Sequence, residues 1–268
     1  MSLVRLNKFL AERIGVSRRE ADDIIKSGQV TIDGQTATTG VKVDKSKKVC
    51  YNGKIIPFQT QYLYLAMNKP VGYVCSRRAQ GESPTIYELL PKEYQKLKTV
   101  GRLDKDSSGL ILLTNDGDFA FQMTHPKFKK EKIYEVELDR PLEPLHQQMI
   151  SDYGIMLDDG PSKFMVIRHH GETASDTGFE GTVGGYDRDS RSASPVTTGA
   201  SDSVPEKPVS DATAKEYYTV VLSEGRNRQI RRTFAALGYR VVKLHRVSFG
   251  VYHLNNLASG KYQIINKN

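Results

Sequence analysis

Apolar positions at the start of the chain recur at helical spacing, which predicts a helix with one buried face. These positions are Leu6, Phe9, Leu10 and Ile14. A second helix is predicted to begin at the capping-box sequence SRRE over 17–20, in which the serine accepts from a backbone N–H and the glutamate reaches back. Gly28 is placed to end this helix, because glycine takes the left-handed conformation at little cost.

Short apolar runs with turn dipeptides follow the two predicted helices. The stretches VTIDG and KVCYNGKII contain Asp33-Gly34 and Asn52-Gly53, which are typical of tight hairpin turns between strands. The pattern therefore predicts a compact first domain over 1–60, made of two helices and a small sheet.

From about Tyr62 onward the pattern changes to longer strands mixed with helices. Strands are predicted for YLYLAMNKP, GLILLTNDG, KIYEVEL and EYYTVVL, and helices for DFAFQMTH, PLEPLHQQMI and NRQIRRTFAALG, which Gly238 ends. The elements do not alternate as regular βαβ units, so the fold class is predicted to be α+β. A second domain is predicted over 61–268.

One segment of this second domain departs from the pattern. Residues 170–213 contain no Leu or Ile, and Gly, Ser and Thr account for 19 of the 44 positions. With 3 basic and 8 acidic residues, the segment carries a net charge of −5. It cannot bury enough apolar surface to offset its ordering entropy, so we predict a disordered insertion. It is a tolerated surface insertion, a tether, or an electrostatic competitor for a polyanionic partner.

The charge of the chain points to a polyanionic partner. Its 268 residues include 39 Lys and Arg against 31 Asp and Glu, for a net charge of +8. Nucleic acid is the first candidate, and a merely soluble basic protein is the alternative. Without the acidic segment the other 224 residues carry +13.

Several other classes are excluded or disfavoured by composition. The two cysteines, Cys50 and Cys75, are too few for a disulfide framework or a multi-cysteine zinc site. None of the six histidines lies in an HExxH or Cys/His pattern, and no GxGxxG or P-loop sequence indicates a nucleotide cofactor. No apolar run approaches the ~18–20 residues of a membrane helix, and the N-terminus does not resemble a secretory signal. We expect a monomeric cytoplasmic protein without metal or cofactor.

Basic residues cluster around the two predicted helix starts of the first domain. Residues 1–58 hold 11 Lys and Arg against 6 Asp and Glu. A basic helix pair on a small sheet can grip phosphates with little sequence specificity, although a solvated charged face has the same pattern. The candidate RNA-binding residues here are Arg5, Lys8, Ser17, Arg18 and Arg19.

The stretch GRLDKDSSGLILLTNDGD over 101–118 is the first candidate for chemistry. Asp104 follows Arg102 and Leu103 at a predicted strand-to-loop junction. A carboxylate there could act as a nucleophile or base beside a cation, or could simply form the turn. Asp106 and Asp116 offer second carboxylates for a hydrolase, although Asp106 is expected to point elsewhere.

The second candidate stretch is EGRNRQIRRTFAALGYRVVKLHR over 224–246, with seven basic residues and one acidic residue. Arg228, Arg231 and Arg232 lie near one helix start. Arginine pairs with carboxylates and phosphates through two parallel hydrogen bonds, so this helix could hold an aspartate and RNA phosphates, or could be a solvated basic helix. His245 is an RNA contact or a satisfied polar residue.

Together these motifs resemble one enzyme family. The sequence RLNKFLAERIGVSRREADDIIKSGQVTIDG is similar to an S4 RNA-binding domain. The sequences LAMNKPVGYVCS, VGRLDKDSSGLILLTNDG, EKIYEVELDRPL and EGRNRQIRRTFAALGYRVVKLHRVSFG resemble the RsuA-type ribosomal RNA pseudouridine synthases. The motifs occur in the family's order and span nearly the whole chain outside 170–213.

The resemblance implies an S4 domain followed by a mixed, largely antiparallel sheet with flanking helices and a central cleft. It implies isomerisation of a uridine in ribosomal RNA to pseudouridine, without cofactor or metal. By motif position Asp104 would be the nucleophile, and Tyr134 would pack on the target base and could move a proton. Arg231 would pair with the aspartate, and Arg102 would lie near the flipped-out RNA.

The resemblance leaves the exact substrate open. The sequence MTHPKFKKEKIYEVELDRPL leads us to favour a large-subunit over a small-subunit ribosomal RNA target, either as free RNA or within a ribosomal subunit or its assembly intermediate. Attack at C1′ and attack on the uracil ring are both open. The alternatives are a non-catalytic S4-type binding protein for ribosomal RNA and the paired-carboxylate hydrolase.

Overall fold

The computed structural model describes residues 3–58, 61–77, 81–169 and 217–267. The predicted disordered insertion over 170–213 lies outside these ranges. No helix within them is long and apolar enough to cross a membrane.

Two helices and short strands form the N-terminal region around their own apolar core. The helices are α1 (Leu6–Ile14) and α2 (Arg18–Lys26). The strands are β1 (Val4–Arg5), β2 (Val30–Ile32), β3 (Gln35–Thr36), β4 (Lys42–Val43), β5 (Val49–Tyr51) and β6 (Lys54–Ile55). Strands β3, β2, β5 and β6 pair in that order, and β1 pairs with β4. The predicted order of helix, helix and small sheet is confirmed.

The capping box predicted at the start of α2 is present. Ser17 Oγ accepts from Glu20 N at 3.1 Å, and the Glu20 carboxylate accepts from Ser17 N at 2.7 Å. These two bonds satisfy backbone groups that the first turn of a helix leaves without partners. Gly28 follows the helix with a φ of +74°, so the predicted glycine end is confirmed as well.

The second region is built on a nine-stranded mixed sheet. Its main order is β13-β14-β10-β15-β9-β7-β17, with β16 paired to β15 and β8 paired to β9. The strands are β7 (Tyr64–Lys69), β8 (Lys98–Val100), β9 (Ser108–Thr114), β10 (Lys132–Leu138), β13 (Met165–His169), β14 (Tyr217–Leu222), β15 (Val241–Phe249), β16 (Tyr252–His253) and β17 (Tyr262–Ile264). A separate hairpin pairs β11 (Ile155–Leu157) with β12 (Gly160–Ser162). The sheet is largely antiparallel, which confirms the predicted α+β class.

The helices of this region are short and flank the sheet. They are α3 (Gly117–Thr124), α4 (Pro144–Gln148) and α5 (Gln229–Ala236), with single 3₁₀ turns at Ile86–Leu89 and Pro126–Phe128. The helix predicted over PLEPLHQQMI begins at Pro144 and continues as a π-helical turn over Met149–Tyr153. Asp116 caps α3 by accepting from the N–H groups of Asp118 and Phe119, both at 3.0 Å.

The two halves of the large sheet meet where β15 runs parallel to β9. This contact covers only two residue pairs, His245 with Ser108 and Arg246 with Gly109. Gly109 has a φ of +104°, and a Cβ there would lie 2.2 Å from the carbonyl oxygen of Arg246. Only glycine allows so close an approach of two backbones, so the junction depends on this residue.

Replacement of Gly109 by alanine should strongly destabilise the fold. The new Cβ would meet backbone atoms that cannot rotate away, in addition to the strain of a positive φ, and we expect a loss of about 3 kcal/mol or more in the free energy of unfolding. Urea unfolding followed by circular dichroism measures this.

The matched control is Gly260→Ala. Gly260 also has a positive φ (+75°), but a Cβ added there would meet nothing within 4 Å. This variant should therefore lose only about 1 kcal/mol, which is the cost of the backbone conformation alone. Equal losses in the two variants would contradict the backbone-contact explanation.

Candidate active site

A cleft of about 290 Å³ opens above the junction of β15 and β9. The loop between β8 and β9 forms one wall, and the loop that leads into α5 forms another. Side chains of β10 and β15 lie between these walls, and residues at the end of α3 complete the rim. Among the lining residues are Arg102, Asp104, Lys132, Tyr134, Arg228 and Arg246. The cleft thus brings together residues from both candidate stretches of the sequence.

Asp104 and Asp106 face the same arginine across the cleft. Arg228 binds Asp106 through two parallel hydrogen bonds, each of 2.9 Å. Its Nη1 also lies 3.7 Å from Asp104 Oδ2. The Arg228 hydrogen bonds hold the pKa of Asp106 below its usual range. Asp106 itself does not line the cleft, but Arg228 contacts both carboxylates and so links Asp106 to Asp104.

Arg231 contacts Asp106 rather than the expected Asp104. Its Nε lies 3.4 Å from Asp106 Oδ2. The other two guanidinium nitrogens donate to the carbonyls of Asp106 and Val241, both at 2.8 Å. These backbone bonds orient the guanidinium along the inner side of the loop, whereas Arg228 reaches Asp104. The start of α5 therefore supplies a cation beside Asp104, as expected, but this cation is Arg228 and not Arg231.

Arg228 has an unusual backbone conformation where the chain enters α5. It precedes α5 with a φ of +46°, in the left-handed region. Such a conformation is uncommon in residues other than glycine and is maintained only where surrounding contacts compensate for it. The bidentate ion pair with Asp106 is one such contact, and it connects the start of α5 to the loop that carries Asp104.

A buried lysine holds the same loop from below. Lys69 is fully buried, and its ammonium donates to the carbonyls of Ser107 at 2.6 Å and Pro70 at 3.0 Å. Burial lowers the pKa of Lys69 from its ordinary value. Within the loop, Ser107 N also donates to the carbonyl of Asp104 at 3.1 Å. The position of Asp104 is thus set by a closed turn anchored to the end of β7.

Tyr134 and Arg246 lie side by side on the floor of the cleft. They are directly opposite each other in the pairing of β10 with β15, and only 7% of Tyr134 and 2% of Arg246 are exposed. Arg246 Nε donates to the carbonyl of Leu110 at 2.7 Å, and its guanidinium lies 4.9 Å from the centre of the Phe249 ring. The phenol and this buried cation therefore belong to one rigid surface.

Lys132 is a second cation on this floor. It lies two residues before Tyr134 and therefore on the same face of β10. Its ammonium donates to the carbonyls of Lys130 and Glu224, both at 3.2 Å, and lies 5.2 Å from the centre of the Phe249 ring. Burial and the nearby charge of Arg246 lower the pKa of Lys132 to about 8.

The other candidate RNA-binding residues of this region differ in placement. Arg102 is exposed and lines the cleft. Arg232 donates to Asp159 Oδ2 at 2.7 Å, and it is not among the cleft-lining residues. His245 Nδ1 lies 2.8 Å from Ser108 Oγ, and burial lowers the pKa of His245 to about 4. One ring nitrogen of His245 thus has a partner within the sheet junction, and a neutral imidazole would bring no charge to a phosphate.

The candidate residues of the N-terminal region remain on its surface. Arg5, Ser17, Arg18 and Arg19 are exposed, and Lys8 is half-buried. Lys8 forms an ion pair with Asp118 at the start of α3, and Lys98 donates to the carbonyl of Val16 at 3.0 Å. Lys8 and Arg18 line a second groove between this region and α3. The basic helix pair is therefore docked beside the cleft-bearing region.

Sequence reasoning missed the buried cations Lys69, Lys132 and Arg246. The period-two spacing of Lys132 and Tyr134 was a usable signal, because it places both side chains on one face of a strand. The other two became recognisable only through burial. Within the described ranges, no group of three or more His, Cys, Asp or Glu residues could hold a metal ion.

Comparison with known families gives two matches along the chain. Residues 63–236 match the family described as RNA pseudouridylate synthase, and residues 4–49 match the S4 domain. The first match covers both loops of the cleft wall and strand β10, and it ends before β15. The second covers the N-terminal helices and most of their small sheet.

Named relatives and a solved structure align over most of the chain. Ribosomal small subunit pseudouridine synthase A of Pasteurella multocida (strain Pm70) is 33% identical over 97% of this chain and 95% of its own length. Ribosomal large subunit pseudouridine synthase B of Yersinia pestis is 31% identical over 93% of this chain and 68% of its own length. A crystal structure of a pseudouridylate synthase superposes with a TM-score of 0.58 at 28% identity, over 98% of this chain and 96% of that one.

The depressed pKa of Lys132 predicts a specific pH dependence of stability. Between the folded value of about 8 and the ordinary value of 10.5, the unfolded chain binds more protons at this residue than the folded chain. Stability contributed at this residue therefore rises with pH over that interval. The free energy of unfolding of wild type, measured with urea, should increase from pH 7 to pH 10 relative to Lys132→Met.

The control for this comparison is Lys92→Met, which removes an exposed lysine. Its difference from wild type should stay constant across the same pH range. A constant difference for Lys132→Met as well would show that the Lys132 ammonium is not desolvated in the folded protein.

Proposed function

This chain belongs to the RNA pseudouridylate synthase family and carries an S4 domain, and on that premise we propose that it converts a uridine of ribosomal RNA to pseudouridine with Asp104 as the nucleophile. The observation that supports this proposal most is the convergence of Asp104, Arg228 and Tyr134 in one cleft. They come from three separate parts of the chain, and each has a role in the reaction.

The isomerisation moves uracil from one attachment to another on the same sugar. The bond between C1′ and N1 breaks, the uracil turns, and a bond between C1′ and C5 forms. C5 loses its proton and N1 gains one, so atoms and charge balance without an added reactant. A carboxylate nucleophile can hold the intermediate while the base turns. Asp104, with its side chain 34% exposed to the cleft, is free to approach the nucleoside.

Arg228 and the loop anchors keep Asp104 in place for this attack. Arg228 holds positive charge 3.7 Å from the carboxylate, and Lys69 binds the carbonyl of Ser107 beneath it. Catalytic groups whose own geometry is fixed need no reorganisation as the reaction proceeds. Asp106 positions Arg228 and does not itself need to touch the substrate.

Tyr134 is proposed to pack on the target base and to move a proton. The base must leave its stack to enter the cleft, which costs a few kcal/mol. Stacking on an aromatic ring recovers about 1–3 kcal/mol. The phenol can also relay a proton, since its oxygen can take the proton from C5 or the sugar as its own O–H proton is passed on. Tyr134 is paired with Arg246 across the two strands, which sets the position of its ring.

The S4 domain supplies the first RNA contacts in this proposal. Exposed cations such as Arg5, Arg18 and Arg19 give salt-dependent affinity for phosphates with little sequence preference. Matched relatives are named for the small subunit and for the large subunit, at 33% and 31% identity. The experiment therefore presents unmodified RNA of both subunits, although the sequence led us to favour the large one.

Replacement of Asp104 by asparagine should abolish product formation. Asparagine keeps the shape of the side chain but lacks the negative charge, so we expect a loss of at least about 1,000-fold in turnover with little loss of RNA binding. Purified protein is incubated with small-subunit and large-subunit transcripts, and pseudouridine is labelled chemically and mapped by primer extension. The position of the stop identifies the target uridine.

The wild-type protein and an Asp152→Asn variant are the controls, since Asp152 is exposed and lines neither the cleft nor the groove beside the S4 domain. Both should form product. Turnover retained in Asp104→Asn would rule out Asp104 as the nucleophile. No product from wild type on free RNA or on ribosomal subunits would favour an RNA-binding protein without catalysis.

Loss of Arg228 should lower kcat, whereas loss of Arg231 should lower thermal stability as well as kcat. Arg228→Met removes the cation nearest Asp104 and leaves Asp106 without its two-pronged partner, so we expect kcat to fall by about 10- to 100-fold. Arg231→Met removes bonds to two backbone carbonyls and should lower thermal stability together with kcat. Single-turnover rates and melting temperatures separate the two effects. If Arg228→Met were active and Arg231→Met were inactive but fully stable, Arg231 and not Arg228 would be the cation that acts on Asp104.

A further inference from the structure

Three aromatic side chains form an exposed group at the mouth of the cleft. Phe121 lies on α3, and His125 and Phe128 flank the 3₁₀ turn that follows. The ring centres of Phe121 and His125 are 4.6 Å apart, and those of Phe121 and Phe128 are 5.8 Å apart. Despite these contacts, 46% of Phe121 and 38% of Phe128 remain exposed. We call this group the aromatic cluster.

A lysine adds positive charge to the aromatic cluster. Lys127 Nζ lies 4.6 Å from the ring centre of Phe128 and 5.3 Å from that of Phe121. Lys129 is exposed beside them. Exposed aromatic rings next to cations are typical of binding sites for single-stranded nucleic acid, because bases stack on the rings and phosphates pair with the charges.

The position of the aromatic cluster matters as much as its composition. His125 and Pro126 line the cleft that contains Asp104. On the other side, Phe121 lines the groove that also contains Lys8 and Arg18 of the S4 domain. An RNA strand that runs from this groove into the cleft therefore passes over this cluster.

We propose that the aromatic cluster is a stacking site for an unpaired base of the RNA strand, next to the uridine that enters the cleft. The cluster would hold the strand in an unstacked form between the S4 domain and Asp104. Because every base has a face for stacking whatever its identity, the site would contribute affinity and local strand separation rather than sequence preference. This inference rests on the proposed function, since it concerns the RNA that the cleft modifies.

The absence of tryptophan from the whole sequence makes a direct test possible. Phe128→Trp would introduce a single indole at the aromatic cluster, and stacking of a base on an indole quenches its fluorescence. We expect titration with the transcript found to be the substrate to quench this emission. Phe121→Trp is a second reporter in case the first variant folds poorly.

Tyr153→Trp is the matched control for the fluorescence. Tyr153 is 78% exposed and lines neither the cleft nor the groove. Its indole should keep its emission when the same RNA is bound. Product formation without quenching at either cluster position would overturn the inference and leave the proposed function intact. Absence of product and of RNA binding would instead contradict the proposed function.

Kinetics distinguish a stacking site from a part of the fold. Phe128→Ala should raise KM about tenfold with little change in kcat, because one base stack is lost before the chemical step. Phe128→Tyr should restore KM, and Phe128→Leu should not, since leucine is apolar but has no ring. The loss in Phe128→Ala should be the same at low and high salt, because stacking is not screened as ion pairs are.

Lys127→Met provides the contrasting electrostatic variant. It should remove about one phosphate contact and so reduce the slope of log affinity against log salt concentration by about one. A lower kcat with unchanged KM in Phe128→Ala, or rescue by leucine, would show that the cluster supports the fold of the cleft rather than the RNA.

Discussion

The close approach of Gly109 to Arg246 determines the geometry of the cleft. The two strands are parallel over only two residue pairs, yet they join the halves of a nine-stranded sheet. Just before Gly109 lies the loop with Asp104, and directly across from Arg246 lies Tyr134. The separation of the proposed nucleophile and the proposed stacking ring is therefore set by a backbone contact that excludes any Cβ. A side chain at position 109 would move one catalytic element away from the other.

Buried cations bound to backbone carbonyls organise the rest of the site. Lys69, Lys132 and Arg246 all donate to main-chain oxygens, and each comes from a different strand. A buried charge costs less when hydrogen bonds satisfy its donors, and the carbonyls of the surrounding loops supply these acceptors. The ammonium or guanidinium in turn fixes the loops. Desolvation, together with the charge of Arg246, lowers the pKa of Lys132 to about 8. The cleft is thus positively charged from below as well as at its rim.

The two regions of the chain cooperate through a small number of polar contacts. Lys8 of α1 pairs with Asp118 of α3, and Lys98 of β8 binds the carbonyl of Val16. These contacts place the basic helices of the S4 domain on the same side as α3, whose far end lines the cleft. The proposed phosphate-binding surface is then continuous with the proposed active-site cleft. In the proposed function, phosphate contacts of the S4 domain supply affinity and the cleft supplies the chemistry.

The sequence by itself determined the local features of this protein. The helix pair with its capping box, the glycine end at Gly28 and the strands around KIYEVEL follow from periodicity and from bonds between residues a few positions apart. The motif resemblance indicated Asp104 and Tyr134 as site residues. Only the tertiary structure decided which arginine meets which aspartate. Arg228 and Asp106 are 122 positions apart, and their meeting depends on the left-handed backbone at Arg228 and on the pairing of β15 with β9. The desolvation of Lys132, likewise, depends on neighbours from other strands, because burial is a property of the packed sheet and not of any short sequence.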